Sequence, residues 1–299
     1  MPNSPISVAG VFPPIPTPFT AEGTIDYEHL KSNLGRWNRE PLAGYVVGGS
    51  NGEYVSLTPD ERVEMVRQVK ALLPEGKLLI AGSGMESTAG TIELTKRMAE
   101  AGGQVALIVN PNYYKRKLMG AALEKFYKDV ADASPIPTMI YNVPANTGVD
   151  IPAGTVVALA RHPNIIGMKD SGGDVAKIGY IVQETPPEFQ VLAGSAGFFL
   201  GALAMGAVGG VMALANLAGG RLAQILESFK KGDLAGARAI QLPLITANSA
   251  VTSRFGVAGL KAALDLMSYY GGPVRAPLLP LSDDDKAVLR GVLSKASLL

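Results

Sequence analysis

The sequence predicts an α/β protein, a (β/α)8 TIM barrel that carries a C-terminal extension of three helices. Short β-rich runs alternate with longer segments of helical periodicity along most of the chain. Eight successive β-then-α units indicate a parallel sheet, and eight strands are the number that closes a barrel. A doubly wound sheet usually stops at about five to seven strands, so the pattern favours the closed barrel.

The predicted strands are residues 10–16, 43–48, 78–82, 104–110, 136–142, 164–169, 190–195 and 207–212. The predicted helices between and after them are residues 27–37, 59–73, 88–101, 120–133, 152–161, 174–184, 197–205 and 219–231. The second helix has the clearest start. Thr58 precedes Pro59 and two acidic residues, which is typical of an N-cap followed by the first helical turn.

After Lys231 the strand pattern ends, and three further helices are predicted over residues 233–247, 256–269 and 282–295. The last begins with Ser282 and three aspartates, a cap followed by acids that a helix N-terminus favours. No low-complexity linker precedes these helices, so we expect them to pack against the barrel. The predicted division is a catalytic barrel over residues 1–231 and a helical extension over residues 232–299.

Composition and charge exclude several classes of function. The 299 residues carry a formal net charge of +1, which offers no basic field to attract nucleic acid or a membrane surface. The chain has no cysteine, which excludes disulfides, thiol nucleophiles and cysteine metal sites. Its two histidines, His29 and His162, are far apart and lack the spacing of metal ligands. We therefore interpret both as structural and expect no metal.

Two segments bear on where the protein works. Residues 1–9 have no basic region followed by an apolar stretch, so we expect no targeting peptide and a cytoplasmic location. Residues 189–220 contain no charged residue and include a Gly-x-x-x-Gly pattern, as a membrane span does. We interpret them as strand, helix and strand, because a sheet covered on both faces also produces uncharged runs.

Lys169 is the leading candidate for a catalytic residue. Active sites in this fold lie at the carboxyl ends of the strands, and Lys169 ends the sixth predicted strand after the run at residues 165–168. Burial there would favour the neutral amine and would lower its pKa from about 10.4. A decrease of about three units, equivalent to about 4 kcal/mol, makes the amine a competent nucleophile toward a ketone. The alternative is a structural lysine that extends to the barrel rim.

Tyr141 ends the neighbouring predicted strand. Adjacent strands lie about 4.8 Å apart, so its hydroxyl can reach the same cavity as Lys169. A phenol there can transfer a proton between water and a substrate hydroxyl. The alternative is an aromatic side chain that packs inside the barrel with its hydroxyl satisfied.

The loop after the second predicted strand, residues 48–52, is rich in glycine. Its free backbone N–H groups, with the side chains of Ser50 and Asn51, suit a carboxylate. No Gly-Lys-Ser/Thr follows, so it is not a phosphate loop. It does match the Gly-x-Ser-x-Gly pattern of serine hydrolases. That nucleophile elbow leads straight into a helix, whereas residues 54–59 intervene here.

Four segments, in their order along the chain, resemble the dihydrodipicolinate synthase and N-acetylneuraminate lyase family. They are residues 49–53, 111–114, 141–144 and 167–171, and the resemblance extends over nearly the whole chain. It implies that Lys169 forms an imine with pyruvate or another 2-oxo acid, and that Tyr141 relays protons. It implies that the loop after strand 2 holds the substrate carboxylate. It further implies a tight dimer in which Tyr114 reaches the neighbour's site, and a homotetramer built from two such dimers.

Two departures distinguish branches of this family. The synthases usually have paired threonines where this chain has Ser50 and Asn51, and an arginine where it has Asn146. Without a guanidinium, bidentate recognition of a semialdehyde carboxylate is lost at that position. The motifs instead resemble those of 4-hydroxy-2-oxoglutarate aldolase. This likeness implies a site lined by Ser50, Asn51, Tyr141, Lys169, Ser171 and Gly194.

The resemblance predicts a class I aldolase that cleaves 4-hydroxy-2-oxoglutarate to pyruvate and glyoxylate. It needs no metal or organic cofactor, because the imine supplies the electrophile. Asn146 and Arg116 are the candidates for recognising the second carboxylate of the substrate. The alternatives are a 4-hydroxy-tetrahydrodipicolinate synthase, an aldolase or dehydratase for 2-keto-3-deoxy sugar acids, a serine hydrolase that uses Ser50, and a non-catalytic sensor of 2-oxo acids.

Overall fold

The computed structural model describes residues 6–299. Within them, one sheet has eight parallel strands, in the spatial order β1-β8-β7-β6-β5-β4-β3-β2. The strands are β1 (Gly10–Phe12), β2 (Gly44–Val47), β3 (Leu78–Gly82), β4 (Val105–Val109), β5 (Thr138–Asn142), β6 (Ile165–Asp170), β7 (Gln190–Ala193) and β8 (Gly209–Val211). The first and last strands of this order meet. The Ala43 N–H, next to β2, donates to the Val11 carbonyl of β1 at 3.0 Å, and the Ile15 N–H, beyond β1, donates to the Val46 carbonyl of β2 at 3.0 Å. The predicted barrel is therefore confirmed.

Helices follow the strands along the chain. They are α1 (Tyr27–Trp37), α2 (Pro59–Ala71), α3 (Thr88–Glu100), α4 (Ala121–Ala133), α5 (Pro144–Thr147), α6 (Ala153–Leu159), α7 (Val175–Glu184), α8 (Phe199–Ala204) and α9 (Ala215–Lys230). Most bounds lie within a few residues of the predicted ones. The short helix α5 was not predicted, because a four-residue segment cannot display helical periodicity.

Two predicted bounds were wrong, each for a local reason. Strand β1 has three residues, whereas residues 10–16 were predicted. Pro13 and Pro14 follow it directly, and a proline has no N–H to donate to a neighbouring strand. Helix α9 begins at Ala215, whereas 219 was predicted, and Ala218 interrupts it with φ −137° and ψ 39°.

The uncharged segment at residues 189–220 contains β7, α8, β8 and the start of α9. This confirms its interpretation as strand, helix and strand. Across residues 6–299, no helix is both long and apolar enough to cross a bilayer. The expectation about residues 1–9 falls partly on residues 1–5, which lie outside the described residues.

The three helices predicted beyond the barrel are confirmed as α10 (Leu234–Ser249), α11 (Gly256–Leu266) and α12 (Asp283–Lys295). Between α10 and α11 lies a π-helical turn, Ala250–Arg254, which was not predicted. The side chain of Ser282 accepts a hydrogen bond from the Asp285 N–H, so the predicted cap of α12 is confirmed. Leu260 and Leu289 are fully buried in the same apolar cluster as the barrel helices. The domain boundary at residue 231 remains a prediction.

The apolar core has two layers. One fills the barrel interior with side chains such as Phe12, Val46 and Leu192. The other lies between the strands and the surrounding helices, around residues such as Trp37 and Ile181. The barrel is thus packed solid below the carboxyl ends of its strands, and polar groups concentrate at that end.

Candidate active site

A cavity of about 250 Å³ opens where the carboxyl ends of β2, β5, β6 and β7 converge. The predicted site residues that line it are Ser50, Asn51, Tyr141, Asn146, Lys169, Ser171 and Gly194. The fold therefore brings these seven predicted residues together, whereas Tyr114 and Arg116 do not line the cavity. The cavity is also lined by residues that were not predicted, which are Val143, Ala145, Ser195, Ala213, Thr252, Ser253, Gly256 and Val257.

Lys169 and Tyr141 are direct neighbours across β5 and β6. The parallel register pairs the two residues, as their positions at the strand ends predicted. Lys169 is only 3% exposed and Tyr141 only 5%. The Lys169 Nζ atom lies 3.9 Å from the centroid of the Tyr141 ring. The amine is thus largely shielded from bulk water beside a phenol, within a cavity that can admit a small molecule.

The Tyr141 hydroxyl lies 3.3 Å from the Ser50 Oγ atom. Burial raises the pKa of this phenol. The positive charge of Lys169 and the hydrogen bonds from Ser50, Lys169 and Ser171 outweigh burial, so the pKa lies below its ordinary value of 10.0. The same contacts that orient the hydroxyl therefore make it a better proton carrier near neutral pH.

Steric crowding explains why residue 194 is a glycine. A Cβ atom at this position would lie 1.9 Å from the Ser171 Oγ atom and 2.6 Å from the Asp170 carbonyl oxygen. The Gly194 N–H also donates to that carbonyl at 2.6 Å. Any larger residue would displace Ser171, whose side chain is among the groups that lower the pKa of Tyr141. Gly194 therefore contributes space for the Ser171 hydroxyl.

The hydroxyl group of Ser195 faces a fixed set of donors. Its Oγ atom accepts from the Asn248 Nδ2 atom at 2.9 Å and from the Gly197 N–H at 3.2 Å. With both lone pairs engaged, its own proton is available to an acceptor in the cavity. Thr252 is the opposite case, because its Oγ1 atom donates to the Asn248 carbonyl at 2.7 Å and keeps its lone pairs.

Thr252 and Ser253 were missed because they lie in the π-helical turn between α10 and α11. Tertiary folding carries Thr252 and Ser253 from the extension to the mouth of the barrel, some 80 residues after Lys169. The sequence signal was weak, because a π-helical turn has no reliable sequence pattern. Such turns do occur frequently at functional sites.

A polar network fixes the segments beside Lys169. The Asn142 Nδ2 atom donates to the Asp170 Oδ2 atom at 2.9 Å and to the Asp150 Oδ1 atom at 2.7 Å. The Gly172 N–H donates to the other Asp170 oxygen at 2.7 Å. Lys177 balances part of the negative charge through Asp150, at 2.6 Å. The peptide next to Lys169 is therefore held from several directions.

Tyr114 does not line the cavity of its own chain. Tyr113 and Tyr114 are 77% and 73% exposed and pack edge to face, with ring centroids 5.1 Å apart. The Glu86 carboxylate accepts from the Tyr113 N–H at 3.0 Å and thereby holds the loop. Arg116 lies in the adjoining exposed turn, outside the cavity lining. The predicted role of Tyr114 in a neighbouring subunit remains a prediction.

The two histidines lie away from the cavity. His29 stacks on Tyr270 with centroids 3.7 Å apart, and His162 contacts Asp132 at 3.0 Å. Within residues 6–299, no group of three or more acidic or histidine side chains is placed to hold a metal ion. The loop after β2 forms two 3-10 turns before α2 begins at Pro59. Ser50 therefore does not lie on a nucleophile elbow, which argues against the hydrolase alternative.

A family model described as the dihydrodipicolinate synthetase family matches residues 7–296. Two relatives are both named 4-hydroxy-tetrahydrodipicolinate synthase. The protein from Methanoculleus marisnigri is 34% identical over 287 residues, covering 95% of this chain and 98% of its own. The protein from Haloarcula marismortui is 35% identical over 290 residues, covering 97% of this chain and 94% of its own.

Two solved structures are similar over nearly the full length. A dihydrodipicolinate synthase from Bacillus anthracis has a TM-score of 0.92 at 30% identity, covering 97% of this chain and 98% of its own. A dihydrodipicolinate synthase from Acinetobacter baumannii, inhibited by chloride and complexed with pyruvate, has a TM-score of 0.93 at 28% identity, covering 98% and 100%.

Proposed function

The chain belongs to the dihydrodipicolinate synthetase family, and from this premise we propose that it cleaves 4-hydroxy-2-oxoglutarate to pyruvate and glyoxylate. Membership makes it a pyruvate-dependent carbon–carbon lyase of the class I aldolase type, whose lysine imine needs no separate cofactor. The choice of substrate rests on one observation. Asn146 lines the cavity at the position where the family resemblance places the synthase arginine, and no described lining residue is an arginine.

The proposed reaction begins at Lys169. Its neutral amine adds to the C2 ketone, and loss of water gives a cationic imine. Tyr141 donates its proton to the departing hydroxyl as water leaves, and the resulting phenolate accepts the proton of the C4 hydroxyl. The C3–C4 bond breaks, and its electron pair moves into the imine to form an enamine. Glyoxylate leaves with C4 as its aldehyde carbon. Protonation of the enamine at C3 and hydrolysis of the imine then release pyruvate and free Lys169.

The cavity supports binding of a carboxylate beside the imine. The first N–H groups of the 3-10 turn Ser50–Gly52 have no partner within the turn, and the Ser50 and Asn51 side chains add donors. The C1 carboxylate is assigned to this loop. The second carboxylate is assigned to the opposite side, where Asn146 and the Ser195 hydroxyl offer donors.

A second candidate is 4-hydroxy-tetrahydrodipicolinate synthase, which the names of the relatives favour over aldolase cleavage. An aldolase for 2-keto-3-deoxy sugar acids is also favoured by one observation, the uncharged wall that Ser195, Thr252 and Ser253 present to a polyol. A substrate panel separates the three. Pyruvate release is measured with 4-hydroxy-2-oxoglutarate and with 2-keto-3-deoxygluconate, and pyruvate consumption is measured with aspartate semialdehyde. If the protein consumes pyruvate with aspartate semialdehyde and does not cleave 4-hydroxy-2-oxoglutarate, the synthase function would replace our proposal.

The variant Asn146→Arg tests whether the residue at position 146 selects the substrate. We expect kcat/KM for 4-hydroxy-2-oxoglutarate to fall by about 10- to 100-fold, because a bulky guanidinium replaces a fitted amide. The ratio of semialdehyde to hydroxy-oxoglutarate turnover should rise. Asn146→Asp is the matched variant, since it keeps the shape and repels a second carboxylate. Unchanged kinetics in both variants would remove Asn146 from substrate recognition.

We propose that Tyr114 acts in the neighbouring subunit, and its exposure supports availability to a second copy. Lys169→Ala and Tyr114→Ala are each expected to be nearly inactive. In a mixed dimer, the site of the Tyr114→Ala chain has its own lysine and the other chain's tyrosine. Random mixing should therefore recover about one quarter of wild-type activity. Recovery of none from two inactive variants would show that Tyr114 acts within its own chain, and a fully active Tyr114→Ala protein would show that Tyr114 has no role in catalysis.

The homotetramer is likewise a proposal, tested by light scattering on the purified protein across a dilution series. A dimer alone would correct the tetramer and leave the Tyr114 proposal standing, because the shared site requires two subunits only. The cytoplasmic location remains a prediction.

A further inference from the structure

A buried ion pair joins the loop after β2 to the C-terminal extension. The Glu53 Oε1 atom lies 2.5 Å from the Lys261 Nζ atom, and both side chains are only 1% exposed. Glu53 directly follows the Ser50–Gly52 turn and has a left-handed backbone, with φ 56°. Lys261 lies on α11. Neither residue lines the cavity, and the reaction described above uses neither of them.

Both partners are also held by the extension. The second Glu53 oxygen accepts from the Arg275 N–H at 2.8 Å. The Lys261 ammonium donates to the Pro273 carbonyl at 2.7 Å and lies 4.3 Å from the Phe19 ring centroid. Burial lowers the pKa of Lys261, while the negative charge of Glu53 opposes this shift. The pair thus keeps two charges away from water, and the surrounding hydrogen bonds fix the orientation of both side chains.

Such a pair is weak evidence for stability alone. Removing two charges from water costs several kcal/mol per ion, roughly what their attraction returns. Replacing a buried ion pair by neutral groups is often harmless to the folding free energy. The better-attested benefit is that a buried pair favours one arrangement of the segments it joins.

The segments joined here form two sides of the cavity. Glu53 is contiguous with Ser50 and Asn51, and the first residues of α11, Gly256 and Val257, line the cavity as well. A second contact anchors the same loop to the barrel, since the Thr17 Oγ1 atom donates to the Gly52 carbonyl at 2.7 Å. The ion pair therefore connects two walls of the cavity, the loop after β2 and α11.

We propose that Glu53 and Lys261 are positioning residues, which hold the Ser50–Gly52 loop at a fixed separation from α11 so that its donors meet the substrate carboxylate. The inference rests on the proposed role of that loop in binding the carboxylate. If the pair has this role, its loss should raise the concentration of 2-oxo acid that half-saturates the site. The rate at which Lys169 forms the imine at saturation should stay the same.

The test compares Glu53→Gln, Lys261→Met and the double variant with the wild-type protein. Each single variant leaves one buried group without its partner, and we expect lower thermal stability. The double variant removes both charges, and its melting temperature should return to near the wild-type value. Pyruvate is then titrated while imine formation is trapped with borohydride. We expect the half-saturating pyruvate concentration to rise about 10- to 100-fold in the double variant, with little change in the trapping rate at saturation.

Hydrogen exchange gives a readout that does not depend on the substrate. In the double variant, amides of residues 50–55 should exchange faster, while those of the barrel strands remain protected. The control removes another pair that joins two elements, Asp60→Asn with Arg97→Gln between α2 and α3, and should change neither readout. Restored stability together with wild-type pyruvate saturation and wild-type loop exchange would overturn the inference. Failure of the wild-type protein to cleave 4-hydroxy-2-oxoglutarate would overturn only the proposed function, because pyruvate trapping and exchange are measured without that substrate.

Discussion

Replacement of Lys169 by arginine should abolish the borohydride-trapped pyruvate adduct and lower kcat by about 10⁴-fold or more, as loss of a covalent nucleophile does in other enzymes. A guanidinium keeps the positive charge but has no neutral amine to add to a ketone at any pH near neutrality. The structure places the Lys169 amine beside Tyr141 in the cavity, with 3% of the side chain exposed. Lysines elsewhere, such as Lys125 at 76% exposure, lack that setting.

The measurement is mass spectrometry of the protein after reduction with pyruvate, followed by peptide mapping. Lys125→Arg is the control and should carry the adduct at Lys169 as the wild-type protein does. Circular dichroism should show that the Lys169→Arg barrel is folded. A stable adduct on another lysine of Lys169→Arg, at the wild-type rate, would refute the assignment of the nucleophile.

Tyr141→Phe should reduce kcat by about 10²- to 10⁴-fold while leaving the fold intact. The change removes one hydroxyl and keeps the ring that packs beside the Lys169 amine. In the proposed cleavage, the proton of the C4 hydroxyl then has no positioned acceptor, and imine formation loses its proton carrier. Because the pKa of Tyr141 lies below 10.0, its ionisation should contribute an inflection to the wild-type pH–rate profile below that value. In Tyr141→Phe that inflection should be absent.

Tyr127→Phe is the matched control. Tyr127 is another buried tyrosine, and its hydroxyl donates to the Ile108 carbonyl at 3.1 Å, outside the cavity lining. Its replacement should lower the free energy of unfolding by about 1 kcal/mol and leave kcat unchanged. Equal losses of activity in the two variants would mean that buried hydroxyls matter here only for folding.

The barrel was predictable because each unit of it is local. A β-rich run, a turn and an amphipathic segment are visible in consecutive residues, and their repetition determines the topology. The position of Lys169 in the cavity was predictable because it ends an apolar strand, and active sites in this fold lie at the carboxyl ends of the strands. Tyr141 followed from the same rule, and the register between β5 and β6 confirms that the two residues are neighbours.

The remainder of the site depends on contacts between distant segments. Thr252 and Ser253 reach the cavity only because α10 and α11 fold back over the barrel. The Glu53–Lys261 pair joins residues more than two hundred positions apart, and nothing in the sequence indicates that Glu53, at the end of the 49–53 segment, pairs with Lys261. Tyr114 is a further case, since its predicted role needs a second copy of the chain.

The origin of the cavity walls has a consequence for how this enzyme can diverge. The proposed catalytic groups, Lys169 and Tyr141, lie near the ends of strands, whereas Thr252 and Ser253 lie on a turn of the C-terminal helices. Substitutions in that turn can therefore alter which aldehyde the cavity accepts without changing the lysine that forms the imine. Natural variation or directed selection at these two positions would tune substrate range independently of the chemistry.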